Sequence, residues 1–392
     1  MKYQFVNQEN KEKTVETVRQ FHQYPELSNQ EVETTKRITA ELKALNIELT
    51  EIQPATGVIG LLRGGKPGAT VAMRADIDAL PVLETKEHAV CSRNQGVMHA
   101  CGHDIHAAAL LGAARALSLL RENLNGNVLF VFQPAEEVST GAEAIIETGA
   151  FEKYSPVAFL SLHVMPDIPA GKVGVREGPI MAAQGGFSVE IQGKGGHGAA
   201  PHTTQDPLIA AVQIAEALQS IPSRWINPAD PFVLSVCSLH SGTAFNIVPD
   251  TAQLMGTYRY LNSIYETSVC GEICKRASAA AQIHGCNVQV GFFNQLPFLY
   301  NDPQLAILAR KAAAAVYGEG NLVIQDMRLS SEDFSVYRRF APIFMYHIGV
   351  GNPDGSSAGL HNPSFFAPEE TAAESAELLT QAAINVLNEV AK

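Results

Sequence analysis

Apolar residues recur along this chain with two different periods, and the points where the period changes outline its organisation. From Lys11 to Ala44 charged and apolar residues follow helical spacing, broken at Tyr24-Pro25, which predicts two helices around a proline turn. Gly57–Leu62 and Thr70–Arg74 read as strands flanking the turn Gly64-Gly65-Lys66-Pro67-Gly68. Ala107–Leu120, dense in Ala and Leu, predicts a buried helix with Asp104 as its N-cap. The apolar run Val128–Phe132 predicts a strand, Gly141–Glu147 a helix, and Val157–Leu162 another buried strand. Strands alternating with helices predict an α/β sheet, mixed but mainly parallel, covered on both faces.

Between about Ala183 and Gln295 the pattern changes. Strand Phe187–Ile191, helix Pro207–Ser220, strands Phe232–Leu239 and Thr251–Tyr260, helix Ser263–His284 and strand Asn287–Phe293 follow in turn. That β-α-β-β-α-β order predicts a ferredoxin-like α+β unit. The first pattern resumes after Pro297 with an Ala-rich helix, Gln304–Tyr317, and an apolar strand, Ile343–Val350. The expected organisation is a discontinuous α/β domain over 1–183 and 295–392, with the α+β unit inserted at 184–294.

The chain's 392 residues exceed a single ordinary core, in keeping with two domains. A 46% hydrophobic and 17% charged composition is that of a globular protein. The net charge of −12 argues against nucleic acid or an anionic membrane as partner. The first ten residues contain no apolar signal region, and no apolar run approaches the roughly 18 residues of a membrane span. Six cysteines without framework spacing fit a reducing compartment, so a cytoplasmic location is expected.

The run His99-Ala100-Cys101-Gly102-His103-Asp104-Ile105-His106 places one thiol and three imidazoles in eight residues. A thiol just ahead of a helix N-terminus is expected to have a lowered pKa, favouring the metal-binding thiolate. Glu136 and Glu137 follow a buried strand, where open α/β sheets place active sites. Neighbouring side chains in extended backbone point apart, so one carboxylate can bind a metal while the other reaches a water. The plainer alternative is a solvated acidic loop. His163 closes the next strand and His361 lies in the turn Gly359–Pro363; each alone reads as structural. Asp76 and Asp78 follow a strand on one side, as ligands, as groups orienting a ligand histidine, or as an Asp-rich turn, the second being favoured. In the inserted unit, Gly193–His202 carries His197 and His202 with four glycines in six residues, implying unusual dihedrals or a close approach. Asn246 and Arg259 are further polar groups there, otherwise explained by capping and ion pairing. His347, and Cys270 with Cys274, read as packing; His22, His99, His106 and His202 read as structural or supporting.

Six runs in order carry a family resemblance: MRADIDALP (Met73–Pro81), MHACGHDIH (Met98–His106), QPAEE (Gln133–Glu137), GGHGAAPH (Gly195–His202), SEDF (Ser331–Phe334) and GLHNP (Gly359–Pro363). On these the chain resembles the M20 metallopeptidases, in the amidohydrolase branch with hippurate hydrolases, plant auxin-amino-acid conjugate hydrolases and N-acetyl-diaminopimelate deacetylases. Cys101 marks that branch, other M20 members having Asp there. The resemblance implies two divalent ions held by Cys101, His103, Glu137, His163 and His361. Cys101 would bridge, His103 and His163 completing one site and Glu137 and His361 the other. It implies Glu136 as general base. His197 would be the oxyanion donor, in many relatives from the partner subunit, and Asn246 and Arg259 would hold a substrate carboxylate. The larger domain becomes the catalytic one and the inserted unit a lid and dimerisation domain, hinged near Ala183 and Gln295. Its edge strands invite pairing into a homodimer. Thiolate favours zinc and the resemblance manganese, with cobalt and nickel as further candidates. The expected reaction is hydrolysis of a small N-acyl-amino acid, hippurate-like or N-acetylated. A dipeptidase or carboxypeptidase, an N-acetyl-diaminopimelate deacetylase and an inactive dimeric metal-binding protein are the alternatives. The intact Glu136 and five-ligand set count against the last.

Overall fold

The apolar runs assemble into one eight-stranded sheet in a computed structural model that describes residues 5–85 and 88–391. Its strands lie in the spatial order Glu48–Leu49, Val58–Arg63, Asn125–Gln133, Lys66–Asp76, Pro156–Pro169, Ile343–Gly351, Val173–Gly174 and Leu322–Val323. The central neighbours run parallel and the flanking pairs mostly antiparallel, so the sheet is mixed and largely parallel. Strands buried on both faces read as continuous apolar runs, and Val128–Phe132 is fully buried.

Helix His103–Leu119 is buried on every side from His103 to Leu117. Gly112 permits this: a Cβ there would come within 2.7 Å of both the Ala376 Cβ and the Thr14 Oγ1. The helix begins earlier than predicted, and its N-cap is Gly102 in the left-handed conformation at φ 83°. Asp104 is therefore inside the first turn, where it accepts from the Ile105 amide at 3.0 Å and pairs with His22 at 2.7 Å. Two further elements, the 3-10 segment Asp333–Arg339 and the long helix Glu370–Val390, complete this unit.

The chain divides into two compact units, one of Met1–Gly178, Tyr300–Asp326 and Asp333–Lys392, and a second of Pro179–Leu299 and Met327–Glu332. In the second, an antiparallel sheet has the spatial order Phe232–Ser241, Thr251–Tyr260, Ala183–Gln192, Asn287–Leu296. Helices Pro207–Gln219 and Val269–Ile283 pack with it around Phe187, Ile214, Leu254 and Ile273. The helix predicted from Ser263 starts only at Val269, because Asn262 caps a separate 3-10 turn, Ser263–Tyr265. Among the described residues, no helix is long and apolar enough to cross a membrane.

Candidate metal centre

Three neighbouring parallel strands direct their C-terminal halves to one place. Lys66–Asp76 ends at Asp76, Asn125–Gln133 leads into the turn bearing Glu136 and Glu137, and Pro156–Pro169 carries His163 within it. Cys101 and His103 arrive at the start of the buried helix. His361 comes from a loop in which its own φ is 63°, a sparsely populated conformation for a side-chain-bearing residue, and its amide donates to Ala100 O at 2.8 Å.

The ligand atoms of Cys101, His103 and His163 lie within 4.8 Å of one another, and so do those of Cys101, Glu137 and His361. These are two clusters sharing one thiol. Cys101 Sγ is 3.5 Å from His163 Nε2, Glu137 Oε1 is 3.9 Å from His103 Nε2, and Glu137 Oε2 is 3.4 Å from His361 Nε2. Glu136 shares a third cluster with His103 and Glu137.

The imidazole tautomers follow from the neighbours. His103 Nδ1 faces two acceptors, Asp78 O at 2.9 Å and Asp78 Oδ1 at 3.2 Å, so it carries the proton and leaves a lone pair on Nε2. His163 Nδ1 likewise donates to Val164 O at 2.7 Å, turning the Nε2 lone pair toward Cys101. His103 Nε2 and Glu137 Oε1 are buried and have no hydrogen-bond partner among the described residues. Two lone pairs facing each other in a buried site ask for a cation between them. The donor set of one thiol, three imidazoles and a carboxylate fits two divalent ions.

The charges agree with that fit. Burial, reinforced by His106, holds the His163 pKa well below the usual imidazole range, in the neutral form that binds a metal. Against the opposing effect of burial, Asp76 and Asp78 push His103 well above that range, so its Nε2 is a site for a proton or, in the proton's place, a cation. His361 rises to about 10 through its bonds to Cys101 and Glu137. A cation would neutralise the same negative potential that these protons answer. The expected lowering at Cys101 is corrected, because burial and the nearby Glu137 raise the thiol's pKa. The side chain is only 6% exposed, so desolvation outweighs the helix dipole.

Asp76 is committed elsewhere: Oδ2 accepts from Arg74 Nη1 at 2.7 Å and Oδ1 from His106 Nδ1 at 2.6 Å. His106 Nε2 then accepts the Val164 amide at 2.9 Å, so His106 has both nitrogens engaged and steadies the peptide next to His163. Asp78 touches His103 directly with Oδ1, while Oδ2 accepts from Ser28 Oγ at 2.7 Å and the Glu137 amide at 3.0 Å.

Sequence reasoning left several groups unassigned. Asp333, in the SEDF run, accepts from Arg74 at 2.8 Å, from Gln133 Nε2 at 2.7 Å and from the Ala142 amide at 3.0 Å. Tyr337 donates to Gln133 Oε1 at 2.7 Å. This buried network anchors the strand end from which the glutamate turn springs. Its signal was a charged Arg74 and an amide Gln133 closing otherwise apolar strands.

In the second unit, Gly196–His197 pairs with Ile247–Val248, and the Gly198 amide donates to Asn246 O at 2.9 Å. His197 and Asn246 thus sit side by side, and both are exposed. The Ala199 amide donates to His197 Nδ1 at 3.0 Å, so a neutral ring carries its proton on Nε2 and offers a donor to solvent. Arg259 is half-buried. Its Nη1 donates to Thr257 Oγ1 at 2.6 Å and Tyr258 O at 3.0 Å, and it has no carboxylate partner among the described residues.

The model for peptidase family M20/M25/M40 matches residues 72–385. A Bacillus subtilis N-acetylcysteine deacetylase is 37% identical over 95% of this chain and 96% of its own length. Thermostable carboxypeptidase 2 of Saccharolobus solfataricus is 38% identical over 90% of this chain and 89% of its own. Among solved structures, a Bacillus subtilis dinuclear metal binding peptidase from the M20 family superposes with a TM-score of 0.85 at 33% identity, over 97% of this chain and 99% of that one. Motif order, site geometry and similarity along nearly the whole length agree: the chain belongs to peptidase family M20/M25/M40 and is a hydrolytic enzyme of the amidohydrolase type.

Proposed function

We propose that this enzyme hydrolyses the amide bond of N-acyl-amino acids, releasing a carboxylic acid and a free amino acid, at two divalent ions held by Cys101, His103, Glu137, His163 and His361. The observation that carries the reading is the pair of unpartnered buried lone pairs on His103 Nε2 and Glu137 Oε1, with Glu136 clustered beside them. Bound there, the two cations would polarise the scissile carbonyl and acidify an attacking water. Glu136 takes that water's proton and later delivers it to the leaving nitrogen. His197 donates Nε2–H to the developing oxyanion. Asn246 and Arg259 hold the carboxylate of the amino acid, a role supported by a half-buried guanidinium that has no acidic partner of its own.

We read the inserted unit as a lid and dimerisation domain. Its sheet ends in two edge strands, Phe232–Ser241 and Asn287–Leu296, which supports a homodimer. The free thiols of all six cysteines suit the cytoplasm. A carboxypeptidase reading keeps the same centre and is favoured by the name of the Saccharolobus relative.

The test is a panel. Metal-stripped enzyme is reloaded with zinc, manganese, cobalt or nickel and assayed on N-acetyl-amino acids, N-benzoylglycine, and peptides with free and blocked N-termini. Faster turnover of the N-acyl-amino acids is expected. Preference for a peptide bond would hand the site to the carboxypeptidase reading, and metal uptake without turnover of any substrate would overturn both.

A further inference from the structure

The turn that carries Glu136 closes on its own backbone, Ser139 N–H donating to Glu136 O at 2.8 Å and Gly141 N–H to Ala135 O at 3.2 Å, but it also leans on the surrounding structure. Ala135 has φ 52° and Ser139 φ 57°, left-handed values that side chains disfavour, so the surrounding structure must impose them. Gly141 helps by letting the following helix press against the Pro134 carbonyl, which a Cβ would meet at 1.6 Å. The amides on either side of Glu136 are each taken by a buried carboxylate. Glu137 N–H donates to Asp78 Oδ2 at 3.0 Å, and Ala135 N–H donates to Glu31 Oε1 at 2.8 Å.

Glu31 is the less expected of the two. It is wholly buried and has no cationic partner among the described residues. It sits at the N-cap of helix Val32–Ala44 yet makes no capping bond; Glu26 accepts from the first-turn amides Glu33 N at 3.1 Å and Thr34 N at 2.8 Å instead. Relieved of capping, Glu31 turns inward to the Ala135 amide. A buried carboxylate without a counter-charge costs stability, so its worth lies in what it holds.

We propose that Glu31 is a positioning residue for the reaction, fixing through the Ala135 amide the turn that aims Glu136. The proposal rests on the reading of Glu136 as general base.

The experiment compares Glu31→Gln, Glu31→Asp and Glu31→Leu, alone and combined with Glu136→Gln, after metal content and thermal unfolding show each to be folded and loaded. Glu31→Gln keeps an acceptor at the same place and should hold kcat within about twofold. Glu31→Leu should lower kcat by about 10- to 100-fold, the usual effect of a slightly misplaced catalytic group, with KM and metal content unchanged. Glu31→Asp, which withdraws the oxygen, should fall between them and serves if the leucine variant does not fold. In the Glu136→Gln background, removing Glu31 should cost almost nothing more. Wild-type kcat in both the leucine and aspartate variants would overturn the proposal. So would equal losses in both backgrounds, or a loss traced to missing metal. If Glu136→Gln alone is fully active, the base reading fails, and Glu31's role with it; if Glu136→Gln is inactive and Glu31→Leu is not, only the Glu31 role fails.

Discussion

Cys101, His103 and His163 are 6%, 0% and 4% exposed, whereas His197 and Asn246 lie in solvent and Arg259 is half-buried. The first set belongs to the large unit and the second to the inserted one. In the buried set each imidazole has its Nδ1 proton fixed by a carbonyl or carboxylate, and the Nε2 atoms turn toward the cluster that half-buried Glu137 and exposed His361 extend. The exposed set is a donor array, with a proton on Nε2 of the neutral His197 ring and guanidinium hydrogens that meet no acid among the described residues. Metal ligation needs fixed lone pairs in a site of low dielectric. Substrate contact needs donors that wait for an acceptor from outside. The two regions therefore should fail in different ways when altered.

The largest difference is expected at the two glutamates beside the buried set. Glu136→Gln should retain both metals and lose on the order of 10²–10⁴ in kcat, the usual worth of a general base. Glu137→Ala should lose metal, because its Oε1 and Oε2 face His103 and His361 at 3.9 and 3.4 Å. Elemental analysis beside single-turnover rates separates the two; equal metal content in both variants would end the division of labour between neighbouring glutamates.

The exposed set should lose rate without losing metal. His197→Ala is expected to lower kcat by roughly 10²–10³, the worth of one oxyanion donor. Mixing it with Glu136→Gln tests whether the donor crosses between subunits. If it does, heterodimers regain part of the activity through one composite site. Mixtures that stay inactive would assign His197 to its own chain, and a fully active monomer would remove the need for a partner.

A smaller effect belongs to Arg259. Charge-assisted hydrogen bonds contribute about 1.5–3 kcal/mol, so Arg259→Leu should raise KM by roughly 10- to 100-fold and leave kcat nearly intact. Amide substrates lacking the carboxylate should show no difference between the two proteins. A similar loss on those substrates would mean that the arginine supports the strand and not the ligand.

The same contrast explains what the sequence made legible. Strands showed as apolar runs, but the reading stopped short at Arg74, since hydropathy treats a charge as an end. The strand continues to Asp76 because Arg74 and Asp76 are buried as a pair at 2.7 Å. The C-terminal helix Glu370–Val390 is absent from the sequence reading although its buried positions Ala372, Ala376, Leu379, Ala383 and Val386 follow helical spacing. Cys101 and His103 stand out as unusual side chains in a short run, whereas His163 and His361 each read as structural alone and enter as ligand candidates only through the family resemblance. Glu31 and Ser28 were not legible: they act on partners 104 and 50 residues away, and Glu31 acts on a backbone amide that any residue would supply. Cys101 was placed correctly ahead of its helix, but burial, which sequence does not report, decides the direction of its pKa.

The last effect expected is on stability and not on rate, and it should again divide the two regions. His22 Nδ1 faces Asp104 at 2.7 Å and Nε2 faces Glu84 at 3.0 Å, so both nitrogens donate and the ring is an imidazolium. Burial alone would depress its pKa, yet Asp104 and Glu84 together push it up to about 10. The unfolded chain releases that proton near the ordinary imidazole value of about 6.5. The clamp's contribution is therefore complete below that pH and declines as pH rises toward 10, because the folded state must then surrender a proton it binds tightly. The side chains are 17%, 5% and 4% exposed, so screening is modest, and the loss across the window should be about 2–4 kcal/mol. Urea unfolding at several pH values in this range should show that decline in the wild type and a flatter profile in His22→Gln. Native-state hydrogen exchange should locate the loss in the large unit, with helix Val269–Ile283 of the inserted unit unaffected. An unchanged slope in His22→Gln would mean that the imidazolium does not control the alkaline stability of the large unit.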